Sequence, residues 1–348
     1  MTIGISFLRA TELAAFAGRT GASRQGMHPL LQFFPREDYG TDSIKIRVEV
    51  ARTRLAQLHG WDEPVKPGKG SDLREIEAEP GLLKEGRELT NKEESFFREW
   101  AELIEQGQMP GETQAAKRAK HINTITRDAM VPVDEMRHHM CQQALAGSLL
   151  ATLNGNTQTI NYGLTSLSNA ATAWTNVGAT IARDIFGWQE EFLDHSDVPP
   201  DTVFFNRKLF STYLAQNTDW LSYIKDNPQL AAAFAGFDSA ALRFQNAASP
   251  IFMFGMLWVP IEGKYENSLG AKVDRWPVEN LTFASMRPPD GQTPLEWAAV
   301  RNKYNPNARP AFRVFEEQNP MQTVVEYSDN GIPVIRLTER VMPVDVTA

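Results

Sequence analysis

The chain has 348 residues, of which 42% are hydrophobic and 22% charged. That is enough apolar side chain for a substantial core, and it excludes disordered, collagen-like and mucin-like chains. Lys and Arg number 35 against 43 Asp and Glu, a net charge of −8, so coating of nucleic acid by bulk positive charge is excluded and any phosphate contact must be local. Cys141 is the one cysteine, which rules out an intrachain disulfide and a multi-cysteine zinc site.

In chain order, residues 1–8 offer no basic stretch ahead of an apolar one, and Arg9 and Glu12 soon interrupt the apolar character. Export through a signal segment is therefore not expected, and a cytosolic origin fits the cysteine usage. Residues 1–36 carry Arg9, Arg19, Arg24 and Arg36 against Glu12 alone and read as an arm. Residues 44–50 alternate Ile, Lys, Ile, Arg, Val, Glu, Val, the pattern of a half-buried antiparallel strand. Residues 60–86 hold Pro64, Pro67, Gly68, Gly70, Pro80 and Gly81 among many charges, and 71–78 alternate weakly. This predicts the return strand of a long two-stranded excursion with too little apolar surface for a core of its own.

Thr90-Asn91-Lys92-Glu93 is a capping box that predicts a helix, with Phe96, Phe97, Trp100, Leu103 and Ile104 on one face and Gly107 as its stop. A second helix is expected over 134–153, about 30 Å long, with acids at its start and Asn154-Gly155 at its end. Val177, Ile181, Ile185, Trp188 and Phe192 form a stripe that predicts a third. Pro199-Pro200-Asp201 then leads into a short strand over 202–205, Asn206 is expected to cap a helix through Leu214, and helical pieces are expected over 220–225 and 238–246. The apolar run 251–259 suits one buried strand and is too short to cross a membrane, which takes about 20 residues. After a loop over 262–271 comes the strand Leu281-Thr282-Phe283. Finally 324–327 and 334–337 flank Asp329-Asn330-Gly331, a hairpin signal weakened by Pro333.

Motifs for chemistry are few. Gly68-Lys69-Gly70-Ser71 lacks the order of a phosphate loop and reads as a surface loop, and no nucleophile elbow, His-Glu-x-x-His helix or dinucleotide fingerprint occurs. Glu135 and His138 stand three apart as in carboxylate-bridged di-iron bundles, with His139 beside them, but that chemistry needs the motif twice. The other pairing, Glu191 with His195, is spaced by four, and Asp134 and Glu135 suit a helix's first turn. No metal and no cofactor are expected, and a metal-dependent enzyme on Glu135 and His138 is the minor alternative. Cys141 lies three residues from His138, yet a small buried apolar role fits it better than a nucleophile's. Lys117, Arg118 and Lys120, near Glu112 and Asp128, form a short basic cluster of the kind found on solvated faces. In this acidic chain, that cluster and the arm are the two places to look for phosphate contacts.

The order of these parts resembles the lambda-type major capsid protein family of tailed phages, phage capsid protein E. Phe33-Phe34-Pro35-Arg36 with Tyr39 and Thr41 is similar to the family's arm and loop entry. The helix over 134–153, followed by Ile160-Asn161-Tyr162-Gly163 and Trp174, is similar to its spine helix and exit. Ala182-Arg183-Asp184-Ile185 and then 200–217 are similar to its apical helix, strand and helix, and Trp276-Pro277 through 283 and residues 310–320 complete the pattern. The helix after Thr90 is a departure from the pattern. The resemblance implies an α+β fold of the Hong Kong 97 type: an N-terminal arm (1–40), an extended loop (41–89), a peripheral domain with a spine helix (90–165 and 318–348) and an apical α/β domain (166–317).

It implies a structural protein without catalytic residues that assembles with itself, as hexamers and pentamers, into the icosahedral shell around double-stranded DNA. Scaffolding, portal and decoration proteins are its further expected partners. No membrane is expected among them, and the implied location is the virion capsid, assembled in the host cytoplasm. Phe33, Phe34, Trp61, Val65, Arg74 and Glu75 are the expected subunit contacts. Arg9, Arg19, Arg24, Lys117, Arg118 and Lys120 are the expected DNA-facing residues. An encapsulin-type cellular compartment shell is the alternative with the same fold.

Overall fold

The computed structural model describes residues 13, 28–39, 44–50, 72–78, 82–107, 111–153, 156–226, 251–266, 270–287, 291–301, 310–318 and 321–347. A 3₁₀ turn, Pro29–Gln32, precedes β1 (Arg36–Asp38), β2 (Ile44–Val50), β3 (Asp72–Ala78) and β4 (Leu82–Glu88). Helices α1 (Asn91–Glu105) and α2 (Glu112–Leu145) follow, then β5 (Ser148–Leu153), β6 (Asn156–Asn161), α3 (Ile181–Ser196), β7 (Thr202–Asn206), a π-helical turn Phe210–Leu214 and α4 (Thr218–Asp226). The rest is mainly strand: β8 (Ile251–Met253), β9 (Met256–Ile261), β10 (Lys264–Glu266), β11 (Lys272–Asp274), β12 (Asn280–Ala284), β13 (Leu295–Ala299), β14 (Ala311–Gln318), β15 (Met321–Ile335) and β16 (Val341–Asp345). No helix among the described residues is long and apolar enough to cross a membrane.

Two five-stranded sheets organise the molecule. One runs β1-β13-β15-β14, with β4 also on β15; the other runs β16-β12-β7-β9-β8. In the second sheet β7 is buried along its whole length, and its side chains alternate between two cores as a period of two requires. Phe204 joins Val259, Trp276 and Trp297 on one side. Val203 and Phe205 join Trp188, Trp258 and Phe283 on the other, beneath α3. A third core lies where Phe97 of α1 meets Ile122, Ile125 and Ala129 of α2 and Val325 and Tyr327 of β15.

The capping box forms as expected: the Glu93 amide donates to Thr90 Oγ1 at 3.4 Å and the Thr90 amide to Glu93 Oε2 at 3.0 Å. Gly107 takes φ +71° after the helix end, a conformation costly for residues with a Cβ. β2 and β3 pair antiparallel from Ile44↔Ala78 to Val50↔Asp72 as a two-stranded ribbon outside both sheets. This is the expected excursion.

The helix expected over 134–153 is corrected at both ends. It begins at Glu112 and runs 34 residues, about 50 Å, because the Ala-, Lys- and Arg-rich stretch 115–120 favours helix. Its exposed Pro132 is accommodated inside it, so Asp134 and Glu135 are interior residues and not first-turn acids. It ends before Gly147 at φ +97°, and 148–153 pair with 156–161 as a hairpin.

Other expectations shift in smaller ways. Val177 lies ahead of α3 and is 51% exposed, while Ile181, Ile185, Trp188 and Phe192 are buried on it. The run 251–259 is a hairpin, β8 turning through Phe254-Gly255 into β9. The loop over 262–271 contains β10, paired with β11. Asn206 Oδ1 accepts from the Lys208 amide at 2.9 Å, but the segment it introduces is a π-helical turn. The piece at 220–225 lies in α4, whereas 238–246 lies outside the described residues. The terminal hairpin is absent: 321–335 is one strand, paired with β14, β4 and β13 in turn, and Asp329-Asn330-Gly331 is extended within it. Gly331 is needed there for close approach, since a Cβ would lie 2.4 Å from Trp297 Nε1 and 2.7 Å from the Ala298 carbonyl oxygen. The division at 317/318 does not follow the sheets, because β13 and β14 lie with β15, and β16 lies with β12.

Candidate functional site

A dense polar constellation among the described residues lies where the N-terminal segment, the middle of α2 and the long strand β15 meet. Asp329 is fully buried. Arg36 Nη1 donates to both its carboxylate oxygens, at 2.9 and 3.2 Å, and Arg137 Nε lies 3.3 Å from Oδ2. The Arg137 guanidinium also sits 4.7 Å above the Trp297 ring, so one carboxylate holds two cations, one of them stacked on an aromatic face. Just beyond β1, Tyr39 donates to Glu296 at 2.7 Å and accepts from Arg336 at 2.7 Å. Burial and the Glu296 hydrogen bond raise the Tyr39 pKa. Beneath these contacts β1 pairs parallel with β13 from Arg36↔Trp297 to Asp38↔Ala299, and Leu30 and Phe34 enter the core.

The acid and histidine motif is spent on structure. Glu135 forms a close ion pair with Arg275; burial raises its pKa and Arg275 partly opposes this. His138 is buried, its ring centroid 5.8 Å from that of His28. Burial first, then the charges of His28, Arg275 and His139, lower its pKa to about 3, so it is neutral at pH 7. His139 is lowered by burial as well, packs 4.8 Å from Tyr265 and lies 3.1 Å from Gln143 Nε2. No group of three or more His, Cys, Asp or Glu suited to a metal occurs among the described residues. Cys141 is fully buried and its thiol is pushed up to about 12, which removes the thiolate a nucleophile would need.

The expected contact and DNA-facing residues fall in different places. Phe34 is buried in its own chain's core, and Phe33 packs edge-on against Phe204 at 5.1 Å. Phe34 therefore presents no surface to a neighbour, which corrects its expected role. Arg74 and Glu75 lie on β3, opposite Val48 and Arg47. Lys117 and Lys120 are exposed on the first turns of α2, while Arg118 lies 5.2 Å over the Trp100 ring of α1. Trp61, Val65, Arg9, Arg19, Arg24 and the loop Gly68-Lys69-Gly70-Ser71 lie outside the described residues. The sequence reading missed Asp329, Arg137 and Arg275. Arg137 stands among the quoted acid and histidine residues, but nothing local marks a partner 192 positions away.

Comparison with known proteins agrees with this architecture. The model of the phage major capsid protein E family matches residues 23–295. No curated protein gives a significant match. A solved structure described as the capsid protein of a prophage of E. coli CFT073 shares 13% identity, with TM-score 0.60, over 97% of this chain and 99% of its own. A phage-related protein from Bordetella bronchiseptica RB50 shares 14%, with TM-score 0.53, over 96% and 97%. The fold is thus the mixed helix and sheet fold of phage capsid proteins, and the chain belongs to the phage major capsid protein E family, the structural proteins of the capsid shell.

Proposed function

We propose that this chain is the repeating tile of a tailed-phage head: copies form hexamers and pentamers that close into an icosahedral shell around double-stranded DNA, assembled in the host cytoplasm. The observation that carries this is the family match over 23–295, joined to a capsid-type fold over nearly the whole chain. In this reading residues 1–40 are the arm, 41–89 the extended loop built on the β2–β3 ribbon, and α2 the spine helix. The peripheral domain takes 90–165 with β13, β14 and β15, and the apical domain takes α3 through β12 with β16. A two-stranded ribbon cannot hold its own core, which supports a role against a neighbouring copy for Arg74, Glu75, Trp61 and Val65. Exposed Lys117 and Lys120, with the arm's Arg9, Arg19 and Arg24, are the proposed local contacts to packaged DNA in a chain of net charge −8. The chain has a structural role and no reaction: Glu135 is held by Arg275 and the Cys141 thiol is buried. Scaffolding, portal and decoration proteins are its proposed further partners.

Electron microscopy of the purified protein tests this. Hollow icosahedral particles, or capsomers convertible into them, are expected. Sedimentation at monomer size under all assembly conditions would refute the reading. Particles that enclose protein cargo in the producing cell and never DNA would assign the chain to a cellular compartment instead.

A further inference from the structure

Where the N-terminal segment crosses α2, two buried histidines face each other. His28 caps the turn Pro29–Gln32, and its carbonyl oxygen accepts from the Leu31 amide at 3.1 Å. His28 and His138 are each 1% exposed, with ring centroids 5.8 Å apart and planes tilted by 54°. Leu30 of the same turn enters the core with Met140, Cys141 and Ala144 of α2. The contact that seats the turn on the helix is thus also the contact that keeps water from the two imidazoles.

The surroundings of His138 oppose a proton. The segment presents His28, the residue after β11 is Arg275, and α2 itself presents His139; each of these charges disfavours a positive imidazole, and burial disfavours it most. The nearby acids are committed elsewhere: Glu135 of α2 to Arg275, Asp329 of β15 to Arg36 and Arg137, and Asp345 of β16 to Thr347. Arg87 of β4 pairs with Glu93 and Asp128 farther up the helix, and β5 carries no ionisable side chain. His138 Nε2 has no hydrogen-bond partner among the described residues. With the turn seated, His138 stays neutral down to about pH 3, whereas a hydrated imidazole takes its proton near pH 6.5. Between those limits a falling pH favours whichever arrangement lets water reach the ring.

The neighbouring strand provides a pivot. The Trp297 amide donates to the Pro35 carbonyl oxygen at 2.8 Å and the Tyr39 amide to that of Ala299 at 2.7 Å, and neither bond involves a histidine. We propose that His28 and His138 form an acid-released latch, in which protonation of His138 lifts the turn Pro29–Gln32 off α2 while β1 stays paired with β13. The latch is a property of the single subunit and goes beyond the reading of the chain as a shell tile.

Amide hydrogen exchange of the free subunit, corrected for the intrinsic effect of pH, tests it. A proton taken up by His138 on opening should increase the open population about 25-fold between pH 7 and pH 5. Protection of residues 30–33 should fall accordingly, while that of α3 (181–196) should change less than about 3-fold. His138→Gln should abolish the acid loss at 30–33, and His138→Leu, an apolar side chain that does not titrate, should do the same if Gln disturbs the packing. Equal losses at 30–33 and 181–196 would mean that acid loosens the whole subunit, and would overturn the latch. Unchanged protection at 30–33 in the wild type, or an undiminished acid loss in folded variants, would overturn it as well, the latter by placing the sensor on another group such as His139.

Discussion

Asp329→Asn is the substitution from which the folded subunit should lose most for the fewest atoms changed. The carboxylate is fully buried and neutralises Arg36 and Arg137 together, while its Oδ1 also accepts from the Asn330 amide at 2.8 Å. Removing one partner of a buried pair leaves uncompensated charge and costs about 3–5 kcal/mol. The Arg36 and Arg137 side chains retain 21% and 14% exposure, and each keeps a second acid, Asp38 at 3.2 Å and Asp134 at 3.8 Å; that residual hydration and charge place the expected loss near the lower end, about 3 kcal/mol. For a chain of this size the melting temperature should fall by about 4 °C. The assay is thermal and urea denaturation of the free subunit, with Arg36→Met and the double variant completing a cycle. Coupling of at least about 1 kcal/mol between the two sites is expected for groups in direct contact. A variant that melts like wild type, or strictly additive losses, would show that the charges are independently solvated and that the cluster does not stabilise through its burial.

Gly331→Ala should destabilise by about 1–3 kcal/mol through overpacking and loosen the β13–β15 register, because its Cβ would collide with Trp297 and the Ala298 carbonyl; hydrogen exchange of residues 295–299 reads this, and unchanged protection would contradict it. Thr90→Ala should cost about 1 kcal/mol by uncapping α1, seen in urea midpoints, whereas Ser at the same position should keep most of it. For His138 the folded-state pKa lies near 3, below the ordinary 6.5, so the unfolded chain takes up a proton first as pH falls. Its contribution is full above about 6.5 and declines toward 3 by at most about 1.4 kcal/mol per pH unit. His138→Gln should flatten stability against pH over that window, and an unchanged slope would place the acid sensitivity elsewhere.

The elements legible in the sequence are those whose signals are local. The capping box at Thr90 needs four consecutive residues, and the stripe from Val177 to Phe192 needs one amphipathic face; the first appears where its spacing puts it, and the second does so from Ile181 onward, with Val177 ahead of the helix. The errors arise where local chemistry is overridden at a distance. Acids at 134 and 135 just after Pro132 mimic a helix start, but Asp134 lies within 3.8 Å of Arg137 and Glu135 is held by Arg275, so neither needs a helix terminus. Asp329-Asn330-Gly331 has turn composition, yet each residue has a long-range reason to be extended: Asp329 neutralises two arginines, Asn330 Nδ2 donates to the Val300 carbonyl, and Gly331 lets Trp297 approach. The nearest of those partners in sequence is Val300, 30 positions from Asn330, and no short window on the sequence contains it.

The same long-range contacts change what the N-terminal segment does. Its arginine content and broken periodicity suggest a strand of chain ordered by neighbouring subunits. Residues 28–39, however, are fixed within their own subunit by Leu30 and Phe34 in the core, by the parallel pairing of β1 with β13, and by the Arg36 and Tyr39 anchors. Burying two large apolar side chains stabilises by about 3–6 kcal/mol, sufficient to offset a good part of the entropy of ordering a short segment without help from a partner. Tyr39, the last described residue ahead of β2, is therefore held at a fixed point of its own subunit.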